Sequence, residues 1–413
     1  MALNFGYKEV EKTHMEYKDA KTYVDILLDH FVASESKLLN SINSNPQDEA
    51  LREKIKKIAI AQLRNLKLDE NNIEFILDLF IKYLLGYYIL DEMISDPDIS
   101  DVKVLDYNHI RYKKKGKRYN STVKFPSRAD YIKFVNLIAT KNKKNLSDIN
   151  ALQTFTDKTS NKDFILRIDI TTPFIASAEV PYFVVRKISR KKYTVQGLID
   201  AGMLDVEKAA YLLKRLDEGR GMLLVGAGAS GKTTLLNTLI ENISHDKSGL
   251  VIQENEELFT TPPNIDEFGN EVFASDGGYT GGHPDMMFKH IVTANGEGKI
   301  QYQLSDLARH GLLEDIEVFI IGEIKGDEAK GFTMASYTGA YCLATVHGQN
   351  SLEGINKLAD YTKLATGYKF EDCLKMLTGI DTIVYMKKFK VAEISEVHGY
   401  DEEKKELIIE RIF

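Results

Sequence analysis

Gly226, Ala227, Gly228, Ala229, Ser230, Gly231, Lys232 and Thr233 follow the order G-x-x-x-x-G-K-[ST], and Thr234 comes next. This spacing suits phosphate. Glycines let a backbone fold round an anion with successive N–H groups turned inward, and a helix starting at the threonines adds the positive end of its dipole. In such a loop Lys232 reaches the β- and γ-phosphates as a point charge, and the Thr233 hydroxyl ligates magnesium. ATP and Mg2+ are the expected ligands.

Acidic groups must complete the grip, because both magnesium and an attacking water need oxygen partners. The apolar run Val318 to Ile321 ends in Gly322 and Glu323, which puts a carboxylate where it can orient or deprotonate water. LVIQENEEL supplies Glu254, Glu256 and Glu257. At least one is expected to face the nucleotide, and spacing alone leaves open which. His347 ends a third apolar run and reads either as a site residue or as a hydrogen-bonded structural histidine. Cations cluster at RYKKKGKR (111–118) and RKISRKK (186–192). The first reads as a solvated hairpin edge that discourages strand pairing, or as a surface for lipid headgroups or nucleic acid. In the second, Arg186 lies inside a strand and can reach across a domain or subunit boundary to ATP phosphates.

The elements that must position these groups follow from apolar periodicity. YVDILLDHFVASESKLLNSI, EALREKIKKIAIAQLRNL and ENNIEFILDLFIKYLL repeat at three- and four-residue intervals, so residues 1–95 read as a helical region, with Asp69 able to cap its last long helix. Alternation at Val102, Val104 and Ile110, then a helix, then FILRIDITT and YFVVRKIS, predict an α+β domain over 96–190. A charged, turn-rich linker is expected at 191–200. From 201 to 413 short apolar strands alternate with helices, which predicts a parallel sheet covered on both faces. The segment from 260 to 300, with PPN, SDGGYTGGHPD and ANGEG, reads as a long functional or mobile loop.

Composition narrows the choices. The chain has 413 residues, 43% of them hydrophobic and 28% charged, which fits two or three globular domains. A net charge of −7 gives no electrostatic case for non-specific nucleic-acid binding. Two cysteines, Cys342 and Cys373, make neither a disulfide framework nor a metal knuckle. No apolar signal core opens the chain and no run is long enough to span a bilayer. The expected place is the cytoplasm, with at most peripheral contact at the inner face of the cell membrane.

Taken together, these segments resemble the ATPases of the type II/type IV secretion superfamily, and most of all their CpaF branch of pilus assembly and conjugation. GYYILDEMISDPDISDVKV is similar to that family's opening, and LRIDITTPFIASAEVPYFVVRKIS to its arginine-bearing segment. VIQENEEL stands in place of "IEDtaEL", FIIGEIKGDEA in place of "iivGEvRg.Ea", and ATVHGQNSLEGINKL in place of "aTiHa.s..eal.RL". The resemblance covers roughly residues 86 to 413. It implies an α/β fold with a C-terminal RecA-like P-loop domain and parallel sheet, after a small α+β (PAS-like) domain and the helical region. It also implies a hexameric ring, ATP held between the two domains, and membrane-embedded platform proteins as partners; the acidic net charge argues against a direct nucleic-acid partner. By position, Glu323 takes the catalytic glutamate's place, Glu254 and Glu257 the acidic box and His347 the histidine box. Residues 226 to 234 hold phosphate with Thr233 on the metal, and Arg167 and Arg186 are the arginines that approach phosphates.

Several positions depart from the family pattern. Gln253 replaces the first acid of the box and Glu254 an aspartate. Lys325 replaces an arginine and cannot make a forked contact. Leu313 replaces another arginine, with Arg309 one turn earlier. MKKFKVAEISEV lacks the usual arginine-rich turn. Two rival functions are therefore carried forward: a nucleic-acid translocase of the same ring class, and a nucleotide-binding ring scaffold with little turnover.

Overall fold

The computed structural model describes residues 15, 17–275, 278–292 and 301–413. The N-terminal stretch read for a signal core lies largely outside these residues, as do ANGEG (294–298) and residues 276–277 of the long loop. Two units divide at Lys191/Lys192, within the charged stretch.

The first unit opens with α1 (Tyr17–Ser34), α2 (Ser36–Ser44), α3 (Glu49–Asn65), α4 (Glu70–Leu85) and α5 (Asp91–Ser95). Asp48 and Asp69 cap α3 and α4 by accepting from Leu51 N and Asn72 N. Next come β1 (Ile99–Asp106), β2 (His109–Lys114), β3 (Lys117–Asn120), α6 (Arg128–Lys141), β4 (Leu152–Asp157), β5 (Phe164–Thr171) and β6 (Tyr182–Ser189). The strands form one antiparallel sheet in the order β3-β2-β1-β6-β5-β4. Phe31 and Phe80 of the helices share one apolar cluster with Val102, Phe134 and Phe183. The change at residue 95 is thus a change of secondary structure within a single core.

One buried polar link ties the helices to the sheet. Tyr87 donates to Asp157 at 2.7 Å, and the same carboxylate accepts from Thr159 N and Ser160 N. Burial works against ionisation of Asp157, but the hydrogen bonds from Ser160, Tyr87 and Thr159 outweigh it and hold the pKa below the usual carboxyl value. Asp157→Ala is expected to destabilise this unit by about 2–4 kcal/mol, as the midpoint of chemical denaturation will report. The contribution is fully present above the unfolded carboxyl pKa and is lost as pH falls through the lower folded value, so the gap between wild type and variant should close in acid.

The second unit contains α7 (Val195–Asp200), α8 (Val206–Asp217), β7 (Met222–Gly226), α9 (Lys232–Ile240), β8 (Gly249–Gln253), β9 (Met286–His290), α10 (Leu304–Gly311) and β10 (Val318–Ile324). It continues through α11 (Glu328–Tyr337), β11 (Tyr341–Val346), α12 (Ser351–Thr366), α13 (Phe370–Met376), β12 (Thr382–Lys387), β13 (Lys390–Asp401) and β14 (Glu406–Arg411). The sheet order is β14-β13-β12-β7-β11-β10-β8-β9. The six strands from β12 to β9 are parallel, and β13 and β14 extend them antiparallel. Each face carries its own core. Leu223 and Val225 face one apolar cluster, while Met222 and Leu224 face the other. This two-sided burial is why the parallel strands read as unbroken apolar runs.

Three elements differ from the sequence expectation. Residues 195–200 of the expected linker are helix α7, capped by Thr194 and anchored by buried Leu198. The long loop contains strand β9, which pairs with β8. Strand β4, whose sequence LQTFTD is mostly polar, lies at a sheet edge and buries chiefly Phe155 and Asp157.

Behind the P-loop strand the backbone approach is close. A methyl group added to Gly354 of α12 would fall 2.3 Å from Val225 of β7, and one on Gly348 2.7 Å from the same side chain. Asn350 caps α12 by accepting from Glu353 N at 2.8 Å.

Candidate active site

The parallel register brings four strand ends to one edge of the sheet, the edge at which open α/β sheets bind ligands. Val225 of β7 lies opposite Val346 of β11, Val346 opposite Ile324 of β10, and Ile321 of β10 opposite Ile252 of β8. The loop 227–231, Glu323, His347 and the turn 254–258 therefore emerge side by side.

Within the loop, Ala229 and Gly231 take positive φ, 60° and 101°. These angles turn the chain sharply into α9, which starts at Lys232. The Lys232 side chain is buried, and its ammonium donates to the carbonyls of Gly226 (2.8 Å) and Ala227 (3.0 Å). Burial lowers its pKa against the opposing pull of the Glu323 carboxylate. The Ser230 hydroxyl is buried with no hydrogen-bond partner. A loop with an orphaned hydroxyl, an ammonium donating to carbonyls and a helix N-terminus fits a phosphate.

Glu323 and His347 are in contact. Nε2 of His347 lies 2.6 Å from the Glu323 carboxylate, and Nδ1 lies 3.2 Å from the Gly226 carbonyl. Each ring nitrogen faces an oxygen, so the ring is fixed between the acid and the loop. Thr345 donates to the Gly322 carbonyl at 2.8 Å and locks the ends of β11 and β10 together. His347 is thus hydrogen-bonded to the loop and in contact with Glu323 at the same time.

The acids after β8 have separate partners. Glu254 pairs with Lys325, and Glu256 lies 3.3 Å from Nδ1 of His290. Glu257 follows in a turn whose backbone is bound to α9 through Asn237. Lys325 thus neutralises Glu254 of its own unit. Leu313 is 81% exposed just beyond α10, and Arg309 pairs with Asp306. Sequence reasoning missed Asn237, an amide five residues after Lys232 on α9.

Arg167 and Arg186 belong to the first unit, directly opposite each other on β5 and β6. The same cross-strand row continues through Asp101, Lys113 and Arg118. Like charges facing each other weaken a sheet, so this row is maintained at a cost. Charge divides between the units in the same sense. Residues 1–191 hold 32 Lys+Arg against 26 Asp+Glu, whereas 192–413 hold 22 against 35.

The chain is similar to known proteins. The family described as "Type II/IV secretion system protein" matches residues 153–379. Over 251 residues the chain is 28% identical to the protein MJ0900 of Methanocaldococcus jannaschii, which is 60% of this chain and 41% of that one. Over 204 residues it is 26% identical to VirB11 of Rhizobium radiobacter, 48% of this chain and 52% of that one. The match therefore spans only about half or less of either relative's length. The ATPase DotB of Legionella pneumophila superposes with a TM-score of 0.47 at 12% identity, covering 76% of each chain.

Proposed function

Because this chain belongs to the type II/IV secretion system protein family, we propose that it is a magnesium-dependent ATPase whose turnover drives a secretion, pilus-assembly or conjugation machine. The observation that carries this reading is the meeting of Lys232, Glu323 and His347 at one sheet edge. A phosphate in the loop takes the Lys232 ammonium from its two carbonyls, and the loop N–H groups and the α9 dipole share its remaining charge. Glu323, held by His347, orients water for in-line attack on the γ-phosphoryl. The Thr233 hydroxyl would hold magnesium, which would supply charge compensation at the phosphates. Catalysis is mainly positioning and charge stabilisation.

The proposed working state is a homo-oligomeric ring, a hexamer by analogy with the family, on membrane-embedded platform proteins. Among the described residues no helix is long and apolar enough to cross a membrane, so attachment would be peripheral. Steady-state phosphate release should give a specific activity that climbs with protein concentration and vanishes in Glu323→Gln. A flat trace at background with tight ATP binding would favour the scaffold reading instead. The cationic row on the first unit's sheet favours a second reading, a polyanion translocase; its mark would be DNA stimulation of turnover that weakens with salt.

A further inference from the structure

Gln253 departs from the acidic box, yet its side chain is fully engaged. It ends β8, is 4% exposed, and its amide oxygen accepts from Glu257 N (2.9 Å) and Leu258 N (2.8 Å). Its amide nitrogen donates to the Leu258 carbonyl at 3.0 Å. From the other side Asn237 of α9 donates to the Glu257 carbonyl at 2.8 Å and accepts from Phe259 N at 3.2 Å. The N–H of Glu257 is thus held by the strand and its C=O by the P-loop helix.

We propose that Gln253 and Asn237 are positioning residues for hydrolysis, a two-sided clip that fixes the acidic turn 254–258 relative to Lys232. The proposal rests on the ATPase reading above. A carboxylate at 253 could accept the two N–H groups but could not donate to the Leu258 carbonyl. It would bring two oxygens together with a buried charge between them. The amide is therefore required by the turn rather than left over from a lost acid. Asn237 refers the turn to α9, the helix that begins with Lys232, so phosphate grip and acid share one frame. A misplacement of about 1 Å in such a frame can cost on the order of a hundredfold in rate.

A protonated carboxylic acid, with one O–H donor and one carbonyl acceptor, reproduces the amide's pattern. This makes Gln253→Glu a pH-switchable test. The ionisable side chains on the surrounding elements include Glu254, Glu256 and Glu257 on the turn, Lys289 and His290 on β9, Glu323 on β10 with Lys325 just beyond it, and Lys232 on α9. Lys289 is engaged with Glu314 and Lys325 with Glu254. His290 is engaged with Glu256, and the acids together with burial raise the new carboxyl's pKa. At about pH 8 the Gln253→Glu chain should show kcat down by about tenfold or more, with KM for ATP little changed. Relative to wild type at each pH, kcat should recover on going to about pH 6. Gln253→Ala should lose turnover without that recovery. Asn237→Ala should lower kcat while a fluorescent ADP analogue binds as before.

Amide hydrogen exchange reads the clip without turnover. Compared with wild type at the same pH, the N–H groups of residues 257 and 258 should exchange faster in Gln253→Ala, and that of Phe259 faster in Asn237→Ala. Unchanged exchange, wild-type kcat in Gln253→Glu at the higher pH, or a loss that ignores pH would overturn this proposal and leave the ATPase reading standing. A wild-type chain with no hydrolysis at any concentration overturns both.

Discussion

Glu323→Gln should keep ATP and release phosphate at least about a hundredfold more slowly, in single turnover and in the steady state. The substitution changes little besides charge. Glutamine fills the same space at the end of β10 and still offers His347 an oxygen at the position now 2.6 Å from Nε2. What it lacks is a carboxylate that can hold a water by two lone-pair sets and take its proton. Binding should survive, because the contacts made by the loop and by Lys232 are untouched. Rapid-quench kinetics beside equilibrium binding of a fluorescent nucleotide would separate the two effects. A loss of less than about tenfold would transfer the water-orienting role to the turn after β8, to Glu254 or Glu257.

Lys232→Ala fails earlier, at binding. The ammonium is buried and is the cation that the loop itself delivers, so truncation removes charge-assisted hydrogen bonds of about 1.5–3 kcal/mol each. Affinity should drop by about a hundredfold or more, equivalent to about 2.7 kcal/mol. Thermal denaturation with and without nucleotide gives an independent measure. Saturating ATP should raise the wild-type midpoint by linkage and leave the variant's midpoint where it was. Near-normal turnover in Lys232→Ala would remove the phosphate site from this loop altogether.

Much of this site is legible in the sequence because its chemistry sits in short segments at strand ends. The glycine-rich loop, Gly322-Glu323 and Val346-His347 each follow an apolar run that could only be a buried strand, and parallel register then brings them together. The cap at Asp69 is legible for a similar local reason. What sequence hides is tertiary. Gln253 reads as a damaged acid until the Leu258 carbonyl and two N–H groups are seen around it. Lys325 reads as a weaker arginine until Glu254 is found beside it. Strand β4 escapes because an edge strand with few buried side chains carries little apolar alternation, and α7 because a six-residue helix is specified mostly by its cap and one leucine. The row Arg167, Arg186, Asp101, Lys113 and Arg118 is spread over five strands, and no linear pattern announces it.

The glycines behind β7 give the site its anvil. With Gly348 and Gly354 pressed against Val225, the strand that carries the loop cannot bow backward when phosphate charge pulls on it. Close packing behind Val225 therefore holds in place the strand that carries the loop. A single methyl on α12 would shift the anvil, and turnover would change through a residue that touches no phosphate.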